Sequence, residues 1–442
     1  MPAPLVDSLT PHLSCPYCAA AFTPQGASLL ACPCGLTPVM GGVAWIARRR
    51  EGNPVREDPA REAASAALER GDEPGAIVEG LLRSSRSRFR RLATLIERIG
   101  RPVPEAILAK VRSHVRSAVV NNQGLTFAAA LQELRNGPYA DYLYQRFVNP
   151  SLLAAMPVVL LLKELHAASN RPLRVLELGG GTGHANFLMQ RSFPDIHFIL
   201  TDADWTNLYL AARFIAPRAA HLCLDAEARL PLPDHSIDAV YCQDSFHYMR
   251  AKAGVVQELR RVVRPGGLWL FPHLHNALVP NPAPGMPLAP GDYARLFSFL
   301  DARFYPEADV LRSFHRDQTL DLSRRSSAEE LDKAQSLTMI AGPASLWRRH
   351  DLAAMALQPA ADLGINRIYA GAASGVAGPI AWPSAGLREE CRHVEEYLPV
   401  NPSVERGLLE RLAAGRTTGE DEAVVADLVR RFVLVPMPAN YG

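Results

Sequence analysis

Four cysteines crowd the start of the chain, in LSCPYC (13–18) and LACPCG (30–35), and the chemistry they suggest is metal binding. Thirteen residues separate Cys18 from Cys32, so Cys15, Cys18, Cys32 and Cys34 sit on two short turns. Four thiolates placed this way suit tetrahedral Zn2+, which would also close a segment too short to build its own core. Four protein ligands leave no open position, so such a zinc is structural rather than catalytic. The other cysteines, Cys223, Cys242 and Cys391, are scattered. The opening MPAPLVDSLT has neither a basic start nor an apolar stretch, which points to a cytoplasmic chain. In that reducing setting clustered cysteines bind metal more often than they form disulfides.

A second group of residues lies near the middle. ELGGGTGH (Glu177 to His184) follows an apolar run, and Gly179, Gly181 and Gly183 allow a tight turn whose N–H groups can approach a ligand closely. A dinucleotide fingerprint wants a small residue where His184 stands, and a phosphate loop wants a lysine that is missing. The pattern therefore suits an adenosyl ligand without a pyrophosphate. Asp202, 23 residues after Gly179 at the tip of the next apolar run, can accept both ribose hydroxyls. Asp225, ending the run after that, is placed to meet the adenine amino group. His247, His273 and His275 follow the fourth and fifth runs, and an imidazole there suits proton removal from a hydroxyl or amine, so all three are catalytic candidates. His273 and His275 alternate in FPHLHN and could instead share a metal. No acidic partner is evident nearby in the sequence, so the base role ranks first.

These residues need elements to position them. LRVLEL (173–178), IHFILT (196–201), AAHLCL (219–224), IDAVYC (237–242) and Leu268 to Phe271 read as buried strands, several ending at an acid or a glycine. AKAGVVQELRRVV (251–263) reads as an amphipathic helix stopped by Pro265-Gly266-Gly267. Strands alternating with helices argue for a parallel, doubly wound sheet with its ligand crevice at the strand ends. Upstream, residues 55–168 carry apolar residues at helical spacing, such as Leu92, Leu95, Ile96 and Ile99, and should be several helices. In that stretch Tyr139, Tyr142, Tyr144 and Phe147 read equally well as a lid over the ligand or as helix packing. The proline-rich loop 281–293 would make a stiff wall beside the site.

The segment 173–276 resembles the class I S-adenosylmethionine-dependent methyltransferases. The matching pieces are VLELGGGTG (175–183), LTDAD (200–204), LDAEARLPLPDHSIDAVYCQDSFHYM (224–249) and LRRVVRPGGLWLF (259–271), in that order. The resemblance implies an α/β fold, a Rossmann-like, mostly parallel seven-stranded sheet. RFYPEADVLRSF (303–314) and QSLTMIAG (335–342) would be its antiparallel sixth and seventh strands. It implies S-adenosyl-L-methionine as cofactor, with Glu177 and the glycine loop on the methionine part and Asp202 on the ribose. Asp225 and Ala226 would hold the adenine, and the segment from Gln243 to His247 would line the methyl-transfer site. With TPVMGGVAWI (37–46), the cysteine segment resembles short zinc-ribbon proteins that partner methyltransferases, and ribbons on some rRNA methyltransferases. It differs in its second pair, Cys-x-Cys instead of Cys-x-x-Cys.

Four regions follow: a zinc ribbon at 1–48, a helical accessory or lid region at 55–168, the methyltransferase domain at 169–345, and a C-terminal α+β region at 346–442. In the last, SVERGLLERLAAG (403–415) and EDEAVVADLVRR (420–431) read as helices and FVLVPMPA (432–439) as a strand, in the manner of a winged-helix or docking module. The 442 residues are 48% hydrophobic, which excludes a chain disordered throughout. A net charge of +2 gives no domain-wide footprint for nucleic acid, although Arg48–Arg50 and the arginines between Arg83 and Arg91 could track a phosphate backbone. The longest apolar run, Leu152 to Leu162, is too short to span a bilayer and holds Pro157. The expectation is a methyltransferase acting on oxygen or nitrogen of a small molecule or metabolite. An RNA acceptor is the second reading and a non-catalytic cofactor-binding scaffold the third, and a homo-oligomer is compatible with all three.

Overall fold

Short antiparallel strands at Thr23–Gln25 (β1), Leu29–Cys32 (β2), Gly35–Met40 (β3) and Val43–Trp45 (β4) surround the cysteine turns. This is a computed structural model, and it describes residues 12–50, 55–56, 58–135, 137–281, 285–352, 363–372, 377–390 and 398–442. The five apolar runs form the strands Arg174–Leu178 (β5), His197–Asp202 (β6), Ala220–Cys223 (β7), Ile237–Tyr241 (β8) and Val263–His275 (β9). β5 runs parallel to both β6 and β8, and β8 runs parallel to β9, so the strand order reverses at β5. Two further strands, Arg303–Pro306 (β10) and Ser336–Ala341 (β11), complete the expected seven, with β11 antiparallel to both β9 and β10.

The sheet does not stop at seven. β4 pairs in parallel with β7, Val43 opposite His221 and Trp45 opposite Cys223, so the cysteine-bearing strands extend the central sheet to eleven. Arg61, only 2% exposed, ties this extension to the first accessory helix, Pro59–Glu69. Its guanidinium donates to the carbonyls of Trp45 and Leu36 and to Thr37 Oγ1 at 2.6–2.9 Å. Unpaired buried carbonyls are costly, and one arginine here satisfies two of them.

Two strand expectations are corrected. Only the first four residues of 303–314 are extended; Glu307–Asp317 is a helix. Pro306 precedes it, Glu307 and Asp309 lie in its first turn, and Val310, Leu311 and Phe314 are buried at helical spacing, so the 3.6-residue period prevails. The fifth strand is longer than Leu268 to Phe271 because Pro265-Gly266-Gly267 is absorbed into it, with Gly266 at φ +73° and a register shift opposite Ile237 and Ala239. That is a bulge rather than a stop.

The 55–168 stretch is helical as expected, but the stripe Leu92, Leu95 and Ile99 on helix Arg88–Arg98 faces outward, at 44%, 58% and 63% exposure. Beyond the sheet, helices Arg406–Ala413 and Gly419–Arg430 lead to the strand Leu434–Pro436, which pairs with Leu363–Ile365. The chain then returns to the glycine loop. The Tyr441 hydroxyl donates to the Tyr144 carbonyl at 2.7 Å and shares a hydrogen bond with His184 Nε2 at 2.9 Å. Tyr144 and Phe147 pack on the same ring. His184, where a dinucleotide fold would carry a small residue, is thus the anchor for the end of the chain. Cys391 lies outside the described residues.

Candidate functional site

β5 ends in a buried carboxylate and a glycine turn. Glu177 is 2% exposed and accepts from Asn186 Nδ2 at 2.9 Å; burial pushes its carboxyl up to about 8. Gly179, Gly181 and Gly183 all have positive φ, +69°, +55° and +81°, which only glycine adopts without strain. Gly180 was not singled out in the sequence, yet it is the most crowded of the four: a Cβ there would lie 2.2 Å from Leu200 Cδ1. At Gly181 a Cβ would meet nothing within 4 Å, because the space above it is a cavity of about 1460 Å³.

Asp202, at the tip of β6, faces the same cavity. Its two oxygens accept from the N–H groups of Gly181 and Asp204 at 2.9 and 2.8 Å, so it holds the glycine turn while keeping lone pairs for a ligand. Burial raises its carboxyl to about 6. Two rings of the aromatic quartet, Tyr139 and Tyr142, also line the cavity, and the other two belong to the packing around Tyr441. Arg135 bonds Asn207 and pairs with Asp204 at 2.9 Å, fixing this wall to β6. Trp45 and Trp205, stacked with centroids 5.5 Å apart, close the cavity toward the cysteine strands.

Asp225 and Ala226 are not among the residues lining this cavity. Asp225 Oδ1 accepts from Glu227 N–H at 2.8 Å, turning into its own loop. The chain after β4 covers this end of the sheet, with Ile46 and Ala47 donating to the Cys223 carbonyl.

A histidine and carboxylate group lies beside the glycine turn, where Gly179 packs on Ser245. Gln243 and Asp244, from the loop after β8, line the cavity with His273 and His275 of β9. Gln243 Nε2 is buried without a hydrogen-bond partner among the described residues. His273 stands at φ +58° in a second β9 bulge, so both histidines face the cavity without regular alternation. His273 Nδ1 shares a 2.8 Å hydrogen bond with Glu307 Oε1. Asp244 accepts from the Tyr142 hydroxyl at 2.8 Å and from Arg146 at 3.1 Å. Burial opposes its charge, but His273, His275 and Arg146 together hold the carboxyl well below its ordinary value. His247 lies behind His275, its ring stacked at 3.8 Å and not on the cavity surface. Burial and then His275 push its protonation down to about 3. From the 281–293 loop, Asn281 reaches the cavity and Gly285 packs on the His247 ring, while 282–284 lie outside the described residues.

The acidic partners, Asp244 and Glu307, went unread in the sequence because they sit 29 and 32 residues from the nearer cavity histidine; Asp244 nonetheless lies within the QDSFH segment already expected to line the site. Arg146 carried no comparable signal. At the edge of the sheet, the four ligand atoms of Cys15, Cys18, Cys32 and Cys34 lie within 4.8 Å of one another, with Cys15 and Cys34 sulfurs 4.0 Å apart. Tetrahedral zinc with Zn–S bonds of ~2.3 Å requires sulfurs roughly 3.8 Å apart, so the donor set fits. The short Cys-x-Cys pair still delivers both thiols, because Cys32 and Gly35 face each other across a tight β2–β3 hairpin.

Residues 176–271 match the family model described as a methyltransferase domain. Over this segment the chain is similar to the class I methyltransferases. Its strand order and glycine turn are those expected of that class. The chain is 34% identical over 146 residues to a malonyl-(acyl-carrier protein) O-methyltransferase of Marinomonas sp. (strain MWYL1), covering 32% of this chain and 48% of that protein. It is 32% identical over 149 residues to the like-named protein of Methylococcus capsulatus, covering 30% and 54%. It therefore spans about half the length of these curated relatives. A ubiquinone/menaquinone biosynthesis C-methyltransferase UbiE of Bordetella avium is 29% identical over 196 residues, covering 40% of this chain and 72% of that protein. Among solved structures, a SAM-dependent methyltransferase from Aquifex aeolicus aligns at 13% identity and TM-score 0.30, covering 46% of this chain and 97% of that one. No helix among the described residues is long and apolar enough to cross a membrane.

Proposed function

We propose that the chain is an S-adenosylmethionine-dependent methyltransferase of the cytoplasm, acting on oxygen or nitrogen of a small-molecule or metabolite acceptor. The observation that carries this reading is one cavity lined by the glycine turn, Glu177 and Asp202 together with Gln243, Asp244, His273 and His275. At about 1460 Å³ it exceeds the ~300–1,000 Å³ of a pocket for one small ligand, so a cofactor and an acceptor have room together.

The residues present fit the cofactor. Space stands open above Gly181, and the buried Gln243 Nε2 has no hydrogen-bond partner among the described residues. Glu177 would take the ammonium of the methionine part, the glycine turn its carboxylate side, and Asp202 the ribose hydroxyls. Asp225 and Ala226, proposed for the adenine, would have to act from outside the cavity as it stands, and Trp205 is the better placed neighbour of Asp202. When bound, the cofactor supplies a methyl group on a sulfonium. The protein's part is to hold an acceptor atom at near-attack distance and exclude water, which accounts for most of the rate in such displacements. His273, hydrogen-bonded to Glu307, and His275 are the groups placed to take a proton from the acceptor; His247 is too deep to reach it.

Structural zinc on the four cysteines is part of the same reading. It would hold the turn from which β2 to β4 run into the central sheet, and thereby hold Trp45 in the cavity wall. The catalytic reading is tested by offering methyl-labelled cofactor to separated metabolite, protein and RNA fractions. Label entering small molecules supports it. Label only in RNA would transfer support to the second reading, which draws on a groove lined by Arg83, Arg86, Arg90, Arg91, Arg98 and Arg135 beside the cavity. Tight cofactor binding with no turnover on any fraction would leave the scaffold reading.

A further inference from the structure

The helix Arg88–Arg98 has one face that packs on the protein and one that does not. Ser87 caps it, accepting from the Arg90 N–H at 3.2 Å, and it packs inward through Ala93, which is fully buried, and Phe89, which is half-buried. Leu92, Leu95 and Ile99 recur at spacings of three and four residues and share the face away from Ala93. All three are exposed, and no described residue covers them. Single exposed leucines are ordinary, but three aligned along one stripe make a patch.

Arginines surround the stripe. Seven lie between residues 83 and 101 against a single acid, Glu97, which Arg90 holds through both of its oxygens at 3.0 Å. Arg88, Arg91 and Arg98 border the stripe on the helix itself, and Arg86 and Arg101 lie beyond its two ends. All five are exposed and make no ion pair with any described residue. The face is therefore apolar along its middle and positively charged around it, which is complementary to an anionic surface with an apolar layer beneath.

The same two features separate the occupants. A second copy docking through this face would set the arginines of one chain against those of the other, and like charges oppose that. A nucleic acid would meet the arginines but leave the aliphatic stripe in water. The one aromatic of the segment, Phe89, carries Arg88 and Lys110 over its ring at 4.9 and 5.3 Å and offers no open face for a base. A bilayer with anionic headgroups satisfies both features at once. The stripe enters the boundary of the acyl chains, and the arginine stems follow while their guanidinium groups reach back to the phosphates.

We propose that this helix docks the protein on an anionic membrane surface, lying in the plane of the interface with Leu92, Leu95 and Ile99 among the lipids. The docking face adjoins the cofactor cavity. Arg91, Leu95 and Arg98 line the arginine groove, and Arg83, Ser84 and Tyr139 line both that groove and the cavity.

The test is co-sedimentation of the full chain with vesicles of phosphatidylcholine alone, and of phosphatidylcholine mixed with phosphatidylglycerol. No cofactor or acceptor is present, so the methyl-transfer reading stands or falls separately. Wild type should bind the mixed vesicles and not the uncharged ones, and added salt should reduce the bound fraction. Leu92→Ser with Ile99→Ser lies outside both the groove and the cavity. It should weaken binding to the mixed vesicles by about tenfold while the melting temperature stays that of wild type. Wild type that stays in the supernatant with mixed vesicles would overturn the docking, without needing any variant. Equal binding to both kinds of vesicle would overturn it too. So would binding that the serine pair leaves unchanged, because attraction by the arginines alone is a site for any polyanion.

Discussion

If Glu177 receives the cofactor's ammonium, binding must ionise a carboxyl that burial holds neutral, and affinity must depend on pH. With its carboxyl raised to about 8, Glu177 is ionised to roughly 1% at pH 6 and 9% at pH 7. The α-ammonium of the ligand, titrating near ~7.8, stays charged across this window. Affinity should therefore rise about tenfold from pH 6 to pH 7, equivalent to about 1.4 kcal/mol. Asp202, raised to about 6, is half ionised at the start and mostly ionised at the end, adding roughly a factor of two. The unliganded protein should show the opposite slope. A carboxyl whose folded pKa is raised contributes stability that is intact below the unfolded value and lost as pH climbs toward the folded one, here from 4.5 to about 8. Isothermal titration calorimetry at pH 6.0, 6.5 and 7.0 (approximate steps), in buffers of different ionisation enthalpy, measures affinity and proton release together. About one and a half protons should be released per cofactor bound at pH 6 and about one at pH 7, and Glu177→Gln should reduce the pH dependence to the share of Asp202. Affinity that is flat over this window, with heats independent of buffer, would remove Glu177 from the ammonium site.

Three other outcomes can be measured with the same protein. Asp202→Ala should weaken calorimetric cofactor binding by about an order of magnitude, and unchanged affinity would refute the ribose role. Gly180→Ala places a Cβ 2.2 Å from Leu200 Cδ1 and 2.7 Å from Glu177 Cδ. It should cost about 1–3 kcal/mol in denaturant unfolding and displace Glu177, so that cofactor affinity falls with stability. Removing metal from the cysteine cluster should lower the melting temperature by several degrees and weaken cofactor binding as well, because β4 and Trp45 hang from that turn. A chelated protein that melts and binds unchanged would separate the ribbon from the fold.

Much of the cofactor half was legible along the chain, for a local reason. A strand, a glycine turn and a helix start lie within a dozen residues of Glu177, and their signals are alternation, φ preference and apolar period. Asp202 could be read because a parallel strand with its crossover helix has a nearly fixed length. The four cysteines were likewise readable as two close pairs. In 303–314 the resemblance suggested a strand throughout, and after Pro306 the helical burial period decided otherwise.

The sequence by itself determined the class of sheet, the glycine turn and the carboxylates at its strand ends, since those depend on neighbours in the chain. Only the tertiary structure decided what faces them. Asp244 meets His275 from 31 residues away because β8 and β9 are adjacent in the sheet, and Tyr142 and Arg146 reach Asp244 from about a hundred residues upstream. Tyr441 reaches His184 across 257 residues, and β4 joins β7 across nearly two hundred. Such contacts are set by strand order and by which buried polar groups find partners. Neither quantity is written in the spacing of residues along one segment.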